Sequence, residues 1–427
     1  MSEISKVRDE DSFDLAAVSS WLEQNAGISG IPEVSQFRSG ASNLTYLLKY
    51  PDRELVLRRP PKGTKAVSAH DMKREVLIQQ RLKPVFPFVP TIIALCDDQS
   101  ILGSDFYIME RINGEIFRRD VPEYVTKDDA RFMGDALIDG LVQLHSVDPE
   151  ILNELNKGPG YVDRQVSGWS NRYRNALTDD VPDGEAVMKW LDSNKPDDVR
   201  LCVIHGDWRI DNLVFDLKNK RLAGVLDWEL ATVGDPLMDL GSALAYWIDR
   251  DDDPAFATLR RQPSDIEGMP TRNEIIKSYI SRSGINCSDF TFYEVFGLFR
   301  LSVIIQQIWA RYRAGQTSNP AFAAGPSLVT SATSAPWVVG SPSPSAISDV
   351  TCWMRTPIQP RRAMPNWRSC PTTSRARLEG MAKPMPMLPP DGEKIAEFTP
   401  MTLPSMSNSG PPELPRLMGA SVWMKSS

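Results

Sequence analysis

Two short apolar runs each deliver an acidic residue at their end: Val203-Ile204 leads through His205-Gly206 to Asp207, and Gly224-Val225-Leu226 leads to Asp227. Between them lie Asn212, five residues after the first acid, the apolar Leu213-Val214-Phe215, and the polar Asp216-Leu217-Lys218-Asn219-Lys220. Apolar runs of this length bounded by polar punctuation read as buried strands, and the polar stretch reads as a hairpin-like connection. Such a chain has few ways to fold. The short loop from Asp207 to Asn212 makes the two side chains converge, and Asp227 enters the same region from a strand end. Asp and Asn are also ordinary turn formers, but two such motifs, with 15 residues from Asn212 to Asp227, exceed what turns require. One Asp can accept the proton of a hydroxyl. An Asn with a second Asp can hold Mg²⁺, a hard cation that takes few protein oxygens and keeps the rest of its shell for phosphate. The combination points to phosphoryl transfer.

Composition narrows the class further. At 427 residues with 41% apolar content, the chain is long enough for two or three domains with ordinary cores. A net charge of −7 argues against nucleic acid as a partner, because phosphate-backbone binding needs a clustered excess of Lys and Arg. Local basic groups such as Arg58-Arg59 and Arg172-Tyr173-Arg174 suit a small anion instead. The five cysteines are scattered without a Cys-x-x-Cys, which suggests neither a disulfide framework nor a zinc site. Residues 1–10 are polar and charged, and no run of 18 apolar residues occurs, so neither a signal peptide nor a membrane span is expected and a cytoplasmic location follows.

The periodicity changes along the chain. Residues 11–25 carry Phe13, Leu15, Val18, Trp21 and Leu22 at helical spacing, with Gly27 as a stop. Residues 34–38, 44–50 and 54–59 read as strands, 69–82 as a helix, and 91–96 and 106–110 as further strands, with a break at Asn113-Gly114. Beyond residue 121 helices dominate: 128–147, 165–177, 184–191, 236–247, 272–281 and 289–313, interrupted by strands at 201–204, 212–215 and 223–226. The fold class expected is α+β with two lobes, a small antiparallel sheet over residues 1–110 and a larger mainly helical lobe over 111–316.

Residues 317–427 differ. They hold 18 of the 34 prolines and only six of the 55 acidic residues, and no segment sustains a helical or strand period. A stretch of this kind cannot offset its ordering entropy by burial, so a disordered low-complexity tail is expected. A reading frame lost near Phe322-Ala323-Ala324 would produce the same change in composition.

The sequence resembles the aminoglycoside phosphotransferase family, which has the protein-kinase-like fold, over roughly residues 30 to 320. Within it the chain is most similar to the phosphotransferase domains related to those fused to acyl-CoA dehydrogenases in animals. The resemblance is carried by Phe37-Arg38-Ser39-Gly40-Ala41-Ser42-Asn43, Val56-Leu57-Arg58-Arg59-Pro60-Pro61, Ala69-His70 through Arg74-Glu75, Met109-Glu110-Arg111, the Asp207 and Asp227 motifs, and Gly234-Asp235-Pro236-Leu237-Met238-Asp239-Leu240-Gly241. It implies a cytoplasmic small-molecule kinase that uses ATP, or GTP, with Mg²⁺. The acceptor implied is a hydroxyl compound, a hydroxy acid or hydroxyacyl-CoA, with no nucleic acid or membrane partner. An amino-sugar or alcohol kinase and a nucleotide-binding pseudokinase are the alternatives.

Site roles follow from the same resemblance. Asp207 is the expected base and Arg209 a cation directed at the transferring phosphate. Asn212 and Asp227 are the expected Mg²⁺ ligands. His205 is either a brace of the loop or itself the base. Ser39, Gly40, Ser42 and Asn43 form a small-residue turn that can present donors to phosphate oxygens. Arg58, or its neighbour Arg59, is the strand-borne cation on the nucleotide phosphates, with Glu75 its helix partner; adjacent strand residues face opposite ways, so one of the two arginines points into the cleft. Glu110 to Ile112 form the interlobe hinge that reads adenine. Asp235 before Pro236 reads as a helix N-cap, and Asp235 and Asp239 are expected to be structural rather than metal-binding. Gln165, Trp169, Arg172 and Arg174 lie at helical spacing and can line the acceptor pocket.

Overall fold

The computed structural model describes residues 4–37, 43–61, 71–252 and 260–316. Ser39, Gly40 and Ser42, the first turn of the helix expected from residue 69, and the tail from residue 317 lie outside the described residues. The chain opens with β1 (Ile4–Ser5) and helix α1 (Leu15–Ala26). The helix starts at Asp14, whose carboxylate accepts from the Ala17 N–H, and ends at Gly27 with φ 64°. A left-handed residue there closes the last turn without a Cβ penalty. This start lies later than the sequence pattern predicts, because residues 9–11 form a separate 3-10 turn.

Strands β2 (Glu33–Phe37), β3 (Leu44–Lys49), β4 (Glu54–Arg59), β5 (Ile92–Cys96) and β6 (Phe106–Glu110) join β1 in a six-stranded antiparallel sheet ordered β1-β2-β3-β4-β6-β5. Helix α2 (Met72–Leu82) and the short α3 (Gln99–Leu102) complete this lobe. The central strands are buried on both faces. Tyr46, Leu55, Leu57, Phe106 and Ile108 pack with Val18 and Leu22 of α1, while Val56, Tyr107 and Met109 pack with Met72 and Val76 of α2. Strand parity therefore sends Arg58 to the α2 side with Val56, and Arg59 to the α1 side with Leu57. There Arg59 donates to Tyr46 Oη and the Asp11 carbonyl.

The second lobe is helical, with α4 (Lys127–His145), α5 (Tyr161–Ala176), α6 (Glu185–Asn194), α7 (Pro236–Leu244), α8 (Arg272–Ser283) and α9 (Thr291–Arg313). Two small ribbons sit among them: β7 (Cys202–Ile204) with β10 (Thr232–Gly234), and β8 (Leu213–Asp216) with β9 (Arg221–Val225). Helices α7 and α9 cross closely. A Cβ on Gly297 would lie 2.1 Å from the Gly241 carbonyl oxygen, so only glycines allow this approach. The crossing matters because α7 holds Asp239 and α9 holds Arg300, and both reach the loop after β7. Strand β8, which follows that loop, is tied to the linker from the first lobe by paired Glu115 and Phe215 main-chain hydrogen bonds of 2.8 Å.

Candidate active site

The loop that carries Asp207 is held from below by one buried carboxylate. Asp239 accepts from the main-chain N–H groups of His205 and Gly206, both at 2.9 Å, and from His145 Nε2 at 3.1 Å. Burial would raise its pKa, but the hydrogen bonds from His145 and from the His205 main chain hold it below the usual carboxylate range. His145 Nδ1 in turn accepts from Tyr279 Oη at 2.6 Å, and burial pushes its pKa below the ordinary histidine value, so it is neutral near pH 7. Gly206 turns with φ 79°, and its Cβ would meet Leu230 at 3.0 Å, so the sharp exit from β7 needs glycine.

His205 has both ring nitrogens engaged. Nδ1 accepts from the Asp207 N–H at 3.2 Å, and Nε2 donates to the Leu226 carbonyl at 3.0 Å. The imidazole thus links the two acid-bearing segments, which is the bracing role among the two that the sequence left open. Asn212 completes the link: its side-chain amide donates to the Asp207 carbonyl at 2.8 Å and to Asp207 Oδ2 at 2.9 Å, and its main-chain carbonyl accepts from the Leu226 N–H at 2.8 Å. Asp227 follows with φ 68°, a left-handed conformation that a non-glycine residue adopts at a cost of roughly 1 to 3 kcal/mol.

Arg209 is buried and lies between two carboxylates, 3.2 Å from Asp207 Oδ1 and 3.2 Å from Asp211 Oδ2, with its guanidinium 4.9 Å from the Tyr246 ring centroid. Burial works against its charge, but Asp207 and Asp211 outweigh that and hold it above the ordinary arginine range. Two of its donors, Nε and Nη1, have no hydrogen-bond partner, although Nε faces Asp207 as an ion pair. The cation expected at the transferring phosphate therefore stands as the direct neighbour of the expected base.

From the first lobe, Arg58 reaches 2.8 Å from Asp227 Oδ1, 3.3 Å from Glu229 Oε2 and 3.5 Å from Glu75 Oε1. The guanidinium is desolvated, yet Glu75, Tyr107, Asp227 and Glu229 hold its pKa well above the usual value. Burial raises the pKa of Glu75 while Arg58 pulls it down, and Tyr107 donates to it at 2.9 Å. Asn43 donates to Glu229 at 3.3 Å. At the hinge, the Glu110 N–H is taken by Thr91, and Ile112 packs over Gly224, where a Cβ would sit 2.3 Å from its side chain.

On the other flank, α5 splits the residues expected at the acceptor. Arg174 points outward to Glu185 at 2.8 Å, and Gln165 accepts from Trp169 Nε1 at 3.1 Å. Arg172 lies 4.7 Å from the Trp169 ring centroid. Sequence reasoning passed over three contributors: Glu229, Arg74, which donates to the Glu229 and Ala231 carbonyls, and Arg300, which donates to the Gly206 carbonyl at 2.8 Å. Arg300 did carry a signal, as the lone charge between Glu294 and Arg311 in an apolar helix.

The donor set fits Mg²⁺. Among the described residues no group of three His, Cys, Asp or Glu side chains forms a metal cage, and Mg²⁺ does not require one, because it binds through one or two carboxylates plus water and substrate phosphate. Asp207 Oδ1 is buried without a hydrogen-bond partner and faces the Arg209 guanidinium at 3.2 Å, a hard oxygen at the convergence point. Asn212, Asp227 and Glu229 carry further oxygen donors, two of them facing Arg58.

Residues 33–274 match the model of the phosphotransferase enzyme family. The chain is 37% identical to acyl-CoA dehydrogenase family member 10 of Mus musculus over 68% of this chain and 28% of that protein. It is 34% identical to family member 11 of Homo sapiens over 74% of this chain and 42% of that one. The chain thus spans less than half the length of these relatives. A solved Ralstonia eutropha protein, provisionally described as an aminoglycoside phosphotransferase, superposes with a TM-score of 0.62 at 29% identity over 74% of this chain and 94% of its own. A type I macrolide 2'-phosphotransferase shares the fold, with a TM-score of 0.51 at 18% identity over 74% of this chain and 98% of its own. No helix among the described residues is long and apolar enough to cross a membrane. With its two-lobed kinase-like fold and the family match over more than half its length, the chain belongs to the phosphotransferase enzyme family and to the small-molecule kinases within it.

Proposed function

We propose that the chain transfers the γ-phosphoryl group of ATP, with Mg²⁺, to the hydroxyl of a small acyl compound, a hydroxy acid or a hydroxyacyl-CoA. The observation that carries this reading is the convergence of Asp207, Asn212 and Asp227, cross-linked by His205 and faced by the Arg58–Glu75 pair. Asp207 receives the acceptor hydroxyl and takes its proton as the oxygen forms the new P–O bond and the bond to ADP breaks. A positioned base of this kind contributes roughly 10² to 10⁴ in rate. Asn212 and Asp227 would hold the metal, which when bound neutralises phosphate charge. Arg58 spans from Asp227 to Glu75 and fixes the first lobe over the second, and Arg209 orients the Asp207 carboxylate.

The acyl nature of the acceptor rests on the two relatives named as acyl-CoA dehydrogenase family members. A polycationic amino sugar fits less well, because the flank nearest Gly206 presents Arg172 and Arg300 rather than acids. Transfer of label from γ-labelled ATP to a panel of hydroxy acids, their CoA thioesters, amino sugars and choline-like alcohols tests the reading. Labelled phosphomonoesters of the acyl compounds are expected, and ready labelling of the amino sugars alone would overturn it.

A further inference from the structure

Arg172 on α5 and Arg300 on α9 converge on one ring, with guanidinium carbons 4.7 and 5.2 Å from the Trp169 centroid. Trp169 is buried, and Arg300 is 7% exposed. Arg58, Arg209 and Arg272 each face two or more carboxylates, and Arg59 and Arg74 have donors taken by Tyr46 and main-chain carbonyls. Arg172 has neither among the described residues, and Arg300 spends a single donor on the Gly206 carbonyl. Burial, and then Arg300, lowers the Arg172 pKa, so the two cations repel each other in a partly dry setting. Arg172 is half-buried and Arg300 buried, and two cations held this close without a counter-charge are unfavourable until a ligand supplies one.

We propose that Arg172 and Arg300, with Trp169 as floor, form an anion subsite that anchors the acceptor beside Asp207 through a carboxylate or phosphate group. The inference rests on the phosphotransferase reading above and adds the charge of the acceptor to it. Planar guanidinium forks suit both groups, and two of them give bidentate recognition. Arg300 holds the carbonyl of Gly206, the residue before Asp207, so an anion bound there lies within a short reach of the base. The charge can come from the carboxylate of a free hydroxy acid or from a phosphate of its CoA thioester.

The test uses the full chain with Mg²⁺ and a non-hydrolysable ATP analogue, titrated with 3-hydroxybutyrate, its amide, 3-hydroxybutyryl-CoA and the uncharged N-acetylcysteamine thioester. At least tenfold tighter binding of the acid than of the amide identifies a carboxylate, and at least tenfold tighter binding of the CoA thioester than of the uncharged thioester identifies a phosphate. Arg172→Met, which keeps the packing on Trp169, is expected to erase that preference, and Arg172→Lys to restore part of it. Equal binding of charged and uncharged probes by the wild type, or a preference that survives in Arg172→Met, would overturn the proposal. Magnesium-dependent ATP turnover is followed in parallel: turnover without charge preference removes the subsite alone, whereas its absence removes the phosphotransferase reading.

Discussion

Two arginines flank the Asp207 loop in opposite electrostatic states. Arg58 is enclosed by Glu75, Asp227 and Glu229, so its charge is satisfied within the protein. Arg172 stacks on Trp169 beside a second cation and meets no carboxylate among the described residues. The first arrangement is a scaffold, because removing one member strands the charges of the others. The second is a vacancy of charge, which a fold retains where a ligand completes it. On the function proposed above, the Arg58 flank would hold the nucleotide on a scaffold that is rigid before substrate arrives, and the Arg172 flank would select the acceptor by charge.

The comparison can be broken by stability measurements in which the two sites respond differently. Arg58→Met carries the largest expected effect, a loss of about 3 to 5 kcal/mol in denaturant unfolding, because buried acids lose their cation; a loss below 1 kcal/mol would mean that the enclosure is not structural. The acid loop should next show a pH dependence that Arg172 does not share. The folded-state pKa values of His145 and Asp239 are both depressed, so their stabilisation is present above the unfolded values of about 6.5 and 3.9 and is lost as pH falls through the folded ones. Unfolding midpoints should accordingly decline as pH drops below about 6.5, and His145→Gln should flatten the first part of that decline. Arg174→Ala, which opens an exposed pair with Glu185, should cost about 0.2 to 1 kcal/mol and less at high salt. Arg172→Met should cost no stability, because it removes a cation that sits beside a like charge. That smallest effect is the most diagnostic, since a large loss there would reveal an internal counter-charge.

Much of this contrast was legible in the sequence. The spacing of Asp207, Asn212 and Asp227 announced the convergence, and Asp235-Pro236 announced the cap of α7, where Asp235 accepts from Leu237 and Met238 N–H groups. The choice between Arg58 and Arg59 was not legible, because β4 is apolar on both faces and its Leu55-Val56-Leu57 run erases the alternation that would have shown which side meets α2. Strand β10 was missed for a related reason: three residues are too few for a period, and only pairing with β7 defines it. Glu229 was not legible, because a single acid two residues past a strand end has no spacing that marks it as part of the site. Arg300 could have been found from its isolation in an apolar helix, but its partner across the fold, Trp169, could not, since 131 residues separate them.

Asp207 is the pivot of the account, and one measurement addresses it directly: magnesium-dependent transfer of label from γ-labelled ATP to a hydroxy acid or its CoA thioester, compared between wild type and Asp207→Asn. The isosteric amide keeps the shape of the loop while removing the proton acceptor. The account predicts a phosphomonoester product whose rate of formation falls by roughly 10² to 10⁴ in the variant, with the fold retained. Transfer by Asp207→Asn at the wild-type rate would contradict it.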